Sequence, residues 1–165
     1  ASGELGQDPA PTYPSGDDRS VGVQKWAVPI SGAAFVRWEL VIPGDDDIDL
    51  FLENSAGNIV ASSTNGGTDE LVELLLPADD TYTMVVHGWS VPNEPLPYTL
   101  SFWAVPLASG GSLSVDLAPT SATVGATETI NVSWSDLSSG RYLGAVSHTG
   151  DVGLMGLTLV DVDNR

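Results

Sequence analysis

Between Val21 and Val105 the chain runs in short apolar stretches, each closed by a turn signal. In Ala34–Ile42 the alternation is strict. Phe35, Arg37, Glu39 and Val41 fall on one side, and Val36, Trp38, Leu40 and Ile42 on the other, which is the period of a half-buried strand. The same rhythm predicts strands at Gln24–Pro29, Ile48–Asn54, Ile59–Ser62, Leu71–Leu76, Tyr82–Trp89 and Tyr98–Val105. Ser55–Asn58 reads as a tight hairpin turn, with Gly57 and Asn58 suited to positive φ, and Thr64–Gly67 reads as another. No window carries a helical period. Strands broken by turns at this spacing predict an all-β chain, an antiparallel β-sandwich or jelly roll.

The flanks differ in texture. Residues 1–20 are rich in Gly, Pro, Ser and Asp and predict a flexible N-terminal arm or linker ahead of a sandwich over 21–106. A Gly- and Ser-containing linker follows at 107–112. Residues 113–165 predict a second, small β-sandwich-like unit of immunoglobulin or fibronectin type, with strands at Leu113–Leu117, Thr127–Ser135, Arg141–Ser147 and Gly156–Val162. That unit is short against the about 100 residues of an immunoglobulin sandwich, so it is expected to be reduced, cut short or packed on the first. The opening residues show no initiator Met, basic n-region or apolar h-region, as expected for an internal stretch of a longer precursor or a trimmed chain.

Charge narrows the functions. The chain of 165 residues carries 5 basic and 22 acidic side chains, a formal net charge of −17. Such a surface repels phosphate backbones and anionic lipid, so neither nucleic acid nor membrane is expected as a partner. No cysteine is present, which excludes disulfides, thiol catalysis and thiolate metal sites. Catalytic signatures are missing too: no G-x-S-x-G elbow, no H-E-x-x-H, no glycine-rich loop opening a helix. His87 falls in a predicted strand, where a lone histidine is more often structural, and His148 falls in a turn. A non-catalytic chain is expected.

The strongest chemical signal is Asp45, Asp46, Asp47 and Asp49, four carboxylates at the mouth of an apolar strand. Asp47 and Asp49 share a face, roughly 6–7 Å apart at Cα, while Ile48, Leu50 and Leu52 face the core. Calcium takes six to eight oxygens from such groups, so calcium is the expected ion and these four its expected ligands. Asp79, Asp80, Asn93 and Glu94 are further oxygen donors in loops. The alternative is a solvated acidic loop, and the spacing does not fit an EF-hand.

The ordered set Asp47-Ile48-Asp49-Leu50, Gly57, Val60-Ala61-Ser62-Ser63, Glu70 through Leu75, Thr81-Tyr82 and Tyr98-Thr99-Leu100 resembles the bacterial pre-peptidase C-terminal domain over roughly residues 34–105. Asp80 stands where that family usually has Gly. Val132-Ser133-Trp134 and Gly140 through Val146 resemble the small β domain that trails some secreted subtilisin-like serine peptidases. The resemblance implies a secreted, non-catalytic accessory region. Its partner would be the parent's catalytic domain, and its roles secretion, calcium stabilisation or binding of insoluble protein. Two other readings stand beside it. One is a stand-alone adhesive module for protein fibres or polysaccharide, with Trp89, Tyr98 and Trp103 as stacking candidates and Trp38 and Trp134 expected in the core. The other is a small hydrolase.

Overall fold

A computed structural model describes residues 1–9, 13, 21–67 and 69–165. The chain divides into two compact units, Ala1–Leu107 and Ala108–Arg165.

In the first unit eight strands form two four-stranded antiparallel sheets. The strands are β1 (Ser2–Leu5), β2 (Val23–Ile30), β3 (Ala33–Val41), β4 (Asp47–Glu53), β5 (Ile59–Ser63), β6 (Asp69–Leu75), β7 (Asp80–Ser90) and β8 (Leu96–Pro106). Their orders, β1-β8-β3-β6 and β2-β7-β4-β5, are those of a jelly roll. The two inner faces supply one core. Val36, Trp38 and Leu40 of β3 meet Ile48, Leu50 and Leu52 of β4, Met84 and Val86 of β7, and Leu100 of β8, all buried. The alternation in β3 thus falls in the predicted register.

Turn chemistry matches the residues present. Asn54 caps the β4–β5 hairpin by accepting from the backbone N–H of Ala56 and of Asn58 through Oδ1, and Gly57 takes φ 77°. Asn58 is not in the left-handed region, and neither is Asp80. Asp80 opens β7 and its carboxylate accepts from the Ser55 N–H at 3.1 Å, so glycine is not required there.

The structure corrects the reading of residues 1–20 where it describes them. Ser2–Leu5 is not a loose arm. It is the edge strand β1, paired with Leu96–Thr99 of β8, and Leu5 is buried in the core. The segment lacks a long apolar run because a four-residue edge strand needs only one core residue. Residues 10–12 and 14–20 lie outside the described set.

In the second unit β9 (Leu113–Leu117) pairs with β10 (Asn131–Trp134), and β11 (Arg141–Gly150) pairs with β12 (Gly153–Asp163). These are two separate two-stranded sheets, and none of the unit's residues is fully buried. Trp134, expected in a core, is 48% exposed. β10 is shorter than the run Thr127–Ser135 predicted for it, and two paired ribbons offer no closed core to receive an indole.

Leu50→Ala should cost about 2–5 kcal/mol in urea unfolding, as expected for a fully buried leucine. Leu75→Ala, at a 60% exposed outer position, should change stability by less than about 0.5 kcal/mol.

Candidate functional site

Asp49 lies on β4 and His87 on β7, opposite one another in the strand register. Both point away from the main core, yet His87 is wholly buried and Asp49 nearly so. The burial comes from the segment after β1. Asp8 reaches over the sheet and its Oδ2 lies 3.0 Å from His87 Nε2, while Asp49 Oδ2 lies 3.1 Å from Nδ1. One imidazole therefore bridges two buried carboxylates. A neutral ring donates from only one nitrogen, so two good bonds need a proton on each nitrogen or a proton on one carboxyl.

Aromatic rings enclose this bridge. Tyr13 and Phe51 lie 5.8 and 6.1 Å from the imidazole centroid, and Trp89 approaches it edge-on at 6.2 Å. Tyr13, Val23, Phe51 and Val85 make a second, separate apolar cluster on the outer face of the sheet. The Tyr13 hydroxyl donates to Glu53, which also meets Lys25 at 3.3 Å.

The four aspartates expected as calcium ligands differ in burial and in partners. Asp45 is exposed. Asp46 is buried, and its Oδ1 accepts from Asn93 Nδ2 at 2.9 Å, while its Oδ2 has no hydrogen-bond partner. Asp47 Oδ1 is likewise buried and unpartnered. Burial, then the nearby Asp49 charge, raise the Asp47 pKa against a lowering bond from the Gly67 backbone. Asp49 is committed to His87. Of the other oxygen donors, Asn93 joins Asp46, whereas Asp79 accepts from Ser31 and Gly32, and Asp80 from Ser55, at the opposite end of β4. Among the described residues no three His, Asp or Glu side chains stand in a metal-holding group.

Glu70, on β6, is the acid that sequence reading missed. It is fully buried and accepts from the Asn65 N–H at 3.1 Å and from Asn65 Nδ2 at 3.4 Å. Burial raises its pKa most, the Asp49 charge adds to that, and bonds from Ser63 and Asn65 oppose it. The signal was present: Glu70 alternates with the exposed Asp69 and Leu71, which places it on the inward face of its strand.

The stacking candidates also divide. Trp89 is 47% exposed and Trp103 half-buried beside Arg37 on the neighbouring strand. Tyr98 is corrected: it is buried in the main core, and its hydroxyl accepts from Trp26 Nε1 at 3.0 Å. Its position in β8 points the ring inward between the sheets. His148 bonds Thr158 at 2.8 Å across β11 and β12, not in a turn.

A buried His–Asp pair is two-thirds of a hydrolytic triad, but here the second ring nitrogen meets Asp8 rather than a hydroxyl. A base activates a nucleophile through that nitrogen, and here both ring nitrogens of His87 face carboxylates.

No family model matches the chain. A stretch of 50 residues is 42% identical to part of Pyrolysin from Pyrococcus furiosus. The match covers 30% of this chain and 4% of Pyrolysin. No helix among the described residues is long and apolar enough to cross a membrane.

Asp49→Ala should cost about 3–5 kcal/mol in urea unfolding, because it strips one side of a buried charge bridge. Glu70 carries a raised pKa, so the native state holds its proton more tightly than the unfolded chain. Ionised Glu70 therefore works against folding at neutral pH, and that penalty disappears as pH falls through its native pKa. Glu70→Gln is expected to raise the melting temperature at neutral pH, with the advantage over the parent closing as the solution is acidified.

Proposed function

We propose that the chain is a non-catalytic accessory region of a secreted subtilisin-like serine peptidase, stabilised by calcium near Asp46 and Asp47. The local similarity to part of Pyrolysin carries this reading. The jelly-roll order of the motif-bearing strands is compatible with it. So is His87, whose ring nitrogens both meet carboxylates and leave none to activate a nucleophile. In this reading the catalytic domain of the parent is the partner, and the chain acts outside the cell.

The calcium part has its own support. Asp46 Oδ2 and Asp47 Oδ1 are buried acceptors without hydrogen-bond partners, an arrangement a hard cation would relieve. Asp49 Oδ2 already meets His87 Nδ1 at 3.1 Å, so the calcium reading is centred on Asp46 and Asp47.

A second reading, binding of insoluble protein or polysaccharide, is favoured by the exposed indole of Trp89. Retention of the chain on collagen or cellulose, lost in Trp89→Ala, would favour it over the first.

Two assays test the proposal. The purified chain should hydrolyse casein no faster than buffer, and turnover that His87→Gln abolishes would overturn the non-catalytic assignment. Millimolar calcium should raise the melting temperature above the effect of sodium chloride at equal ionic strength. At a hundredfold excess over Kd the gain is about 2.7 kcal/mol. Asp46→Asn and Asp47→Asn should each remove it, and equal melting in the two salts would defeat the calcium assignment.

A further inference from the structure

We propose that the segment Gly6–Asp8 with Tyr13 is a displaceable strap, seated in a groove on the outer face of the β2-β7-β4-β5 sheet and latched by Asp8 on His87. Its occupant is this chain's own backbone, and the inference stands apart from the accessory-region reading.

The seat is built for a passing backbone. A Cβ on Gly22 would overlap the backbone of Asp8, and one on Gly88 would overlap the carbonyl oxygen of Gly6. Neither glycine has positive φ, so close approach rather than turn geometry is what calls for glycine at both positions. Two backbone bonds run along the same line, Gly6 N–H to Val21 O at 3.2 Å and Asp8 N–H to Gly88 O at 3.1 Å, while the Gly88 N–H is spent on Gly22 O at 2.8 Å rather than on the strap. The Gln7 side chain reads the neighbouring chain from both ends. Its Nε2 donates to the Trp89 carbonyl at 3.0 Å, and its Oε1 accepts from the Val91 N–H at 2.6 Å.

Separability follows from where the apolar contacts lie. Leu5 belongs to the main core and keeps β1 in place. Beyond it, among the described residues, the apolar part of the strap is Tyr13, which packs with Val23, Phe51 and Val85 in a second cluster outside the main core. The latch thus ties down a segment that lies outside the main core cluster. Opening it would uncover Val23, Phe51, Val85 and His87 beside the already exposed Trp89.

The test is amide hydrogen exchange on the full chain with Asp8→Asn, which keeps the shape and removes the charge of the latch. Exchange at Gly6 and Asp8, whose N–H groups bond Val21 O and Gly88 O, should accelerate roughly 10–100-fold, as for a lost charge-assisted bond, while Val36–Leu40 of β3 stays unchanged. Gly22→Ala, which crowds the strap from a turn outside the strands, should give the same local pattern with the latch residues intact. Rates at Gly6 and Asp8 that stay within about twofold of the parent in both variants would overturn the proposal. So would acceleration of β3 together with the strap, because the strap would then be inseparable from the fold.

Discussion

One imidazole between two carboxylates joins three parts of the first unit that are far apart in sequence. Asp8 comes from the segment after β1, Asp49 from β4 and His87 from β7. In a chain of net charge −17, burying two aspartates on one sheet face is tolerable only where a donor meets each of them. His87 supplies both donors or shares them with one carboxyl. Once the bridge forms, Tyr13 can close over Phe51 and Val85, and the sheet acquires a covered outer face in addition to its core face. The remaining acids at that end are then placed around the bridge. Asp47 and Glu70 both carry raised pKa values, from burial first and in part from the charge of Asp49.

Much of the sandwich was legible because its strands obey one rule. Val36, Trp38, Leu40 and Ile42 alternate with more polar neighbours, and all four are buried. Ile48, Leu50 and Leu52 do the same on the facing sheet. The strap was not legible, since its ties are mostly main-chain bonds and single polar contacts, and those leave no periodic trace in Gly6-Gln7-Asp8. Alternation also assumes that the far face of a strand is wet. Asp49 and Phe51 lie on that far face and are buried all the same, because residues from outside the sheet lie over them.

The acidic cluster shows the same limit from the other side. Asp45, Asp46, Asp47 and Asp49 are adjacent in sequence, and proximity along the chain suggested shared work. Strand geometry instead sends Asp49 to His87 and turns Asp46 toward Asn93. The partners that meet them, His87 with Asp8 and Asn93, come from other segments. Tyr98 departs from expectation for a related reason: an aromatic near a strand end reads as a surface ring, but its position in β8 turns it toward Trp26.

Asp8, His87 and Asp49 act as one unit, and a double-mutant cycle in urea unfolding tests that most directly. Asp8→Asn and Asp49→Asn would be measured alone, together and in a His87→Gln background. If one imidazole serves both carboxylates, the two aspartate changes should couple by about 1 kcal/mol or more, and each should cost far less once His87 is gone. Effects that add to within about 0.5 kcal/mol and survive unchanged in the His87→Gln background would contradict the account.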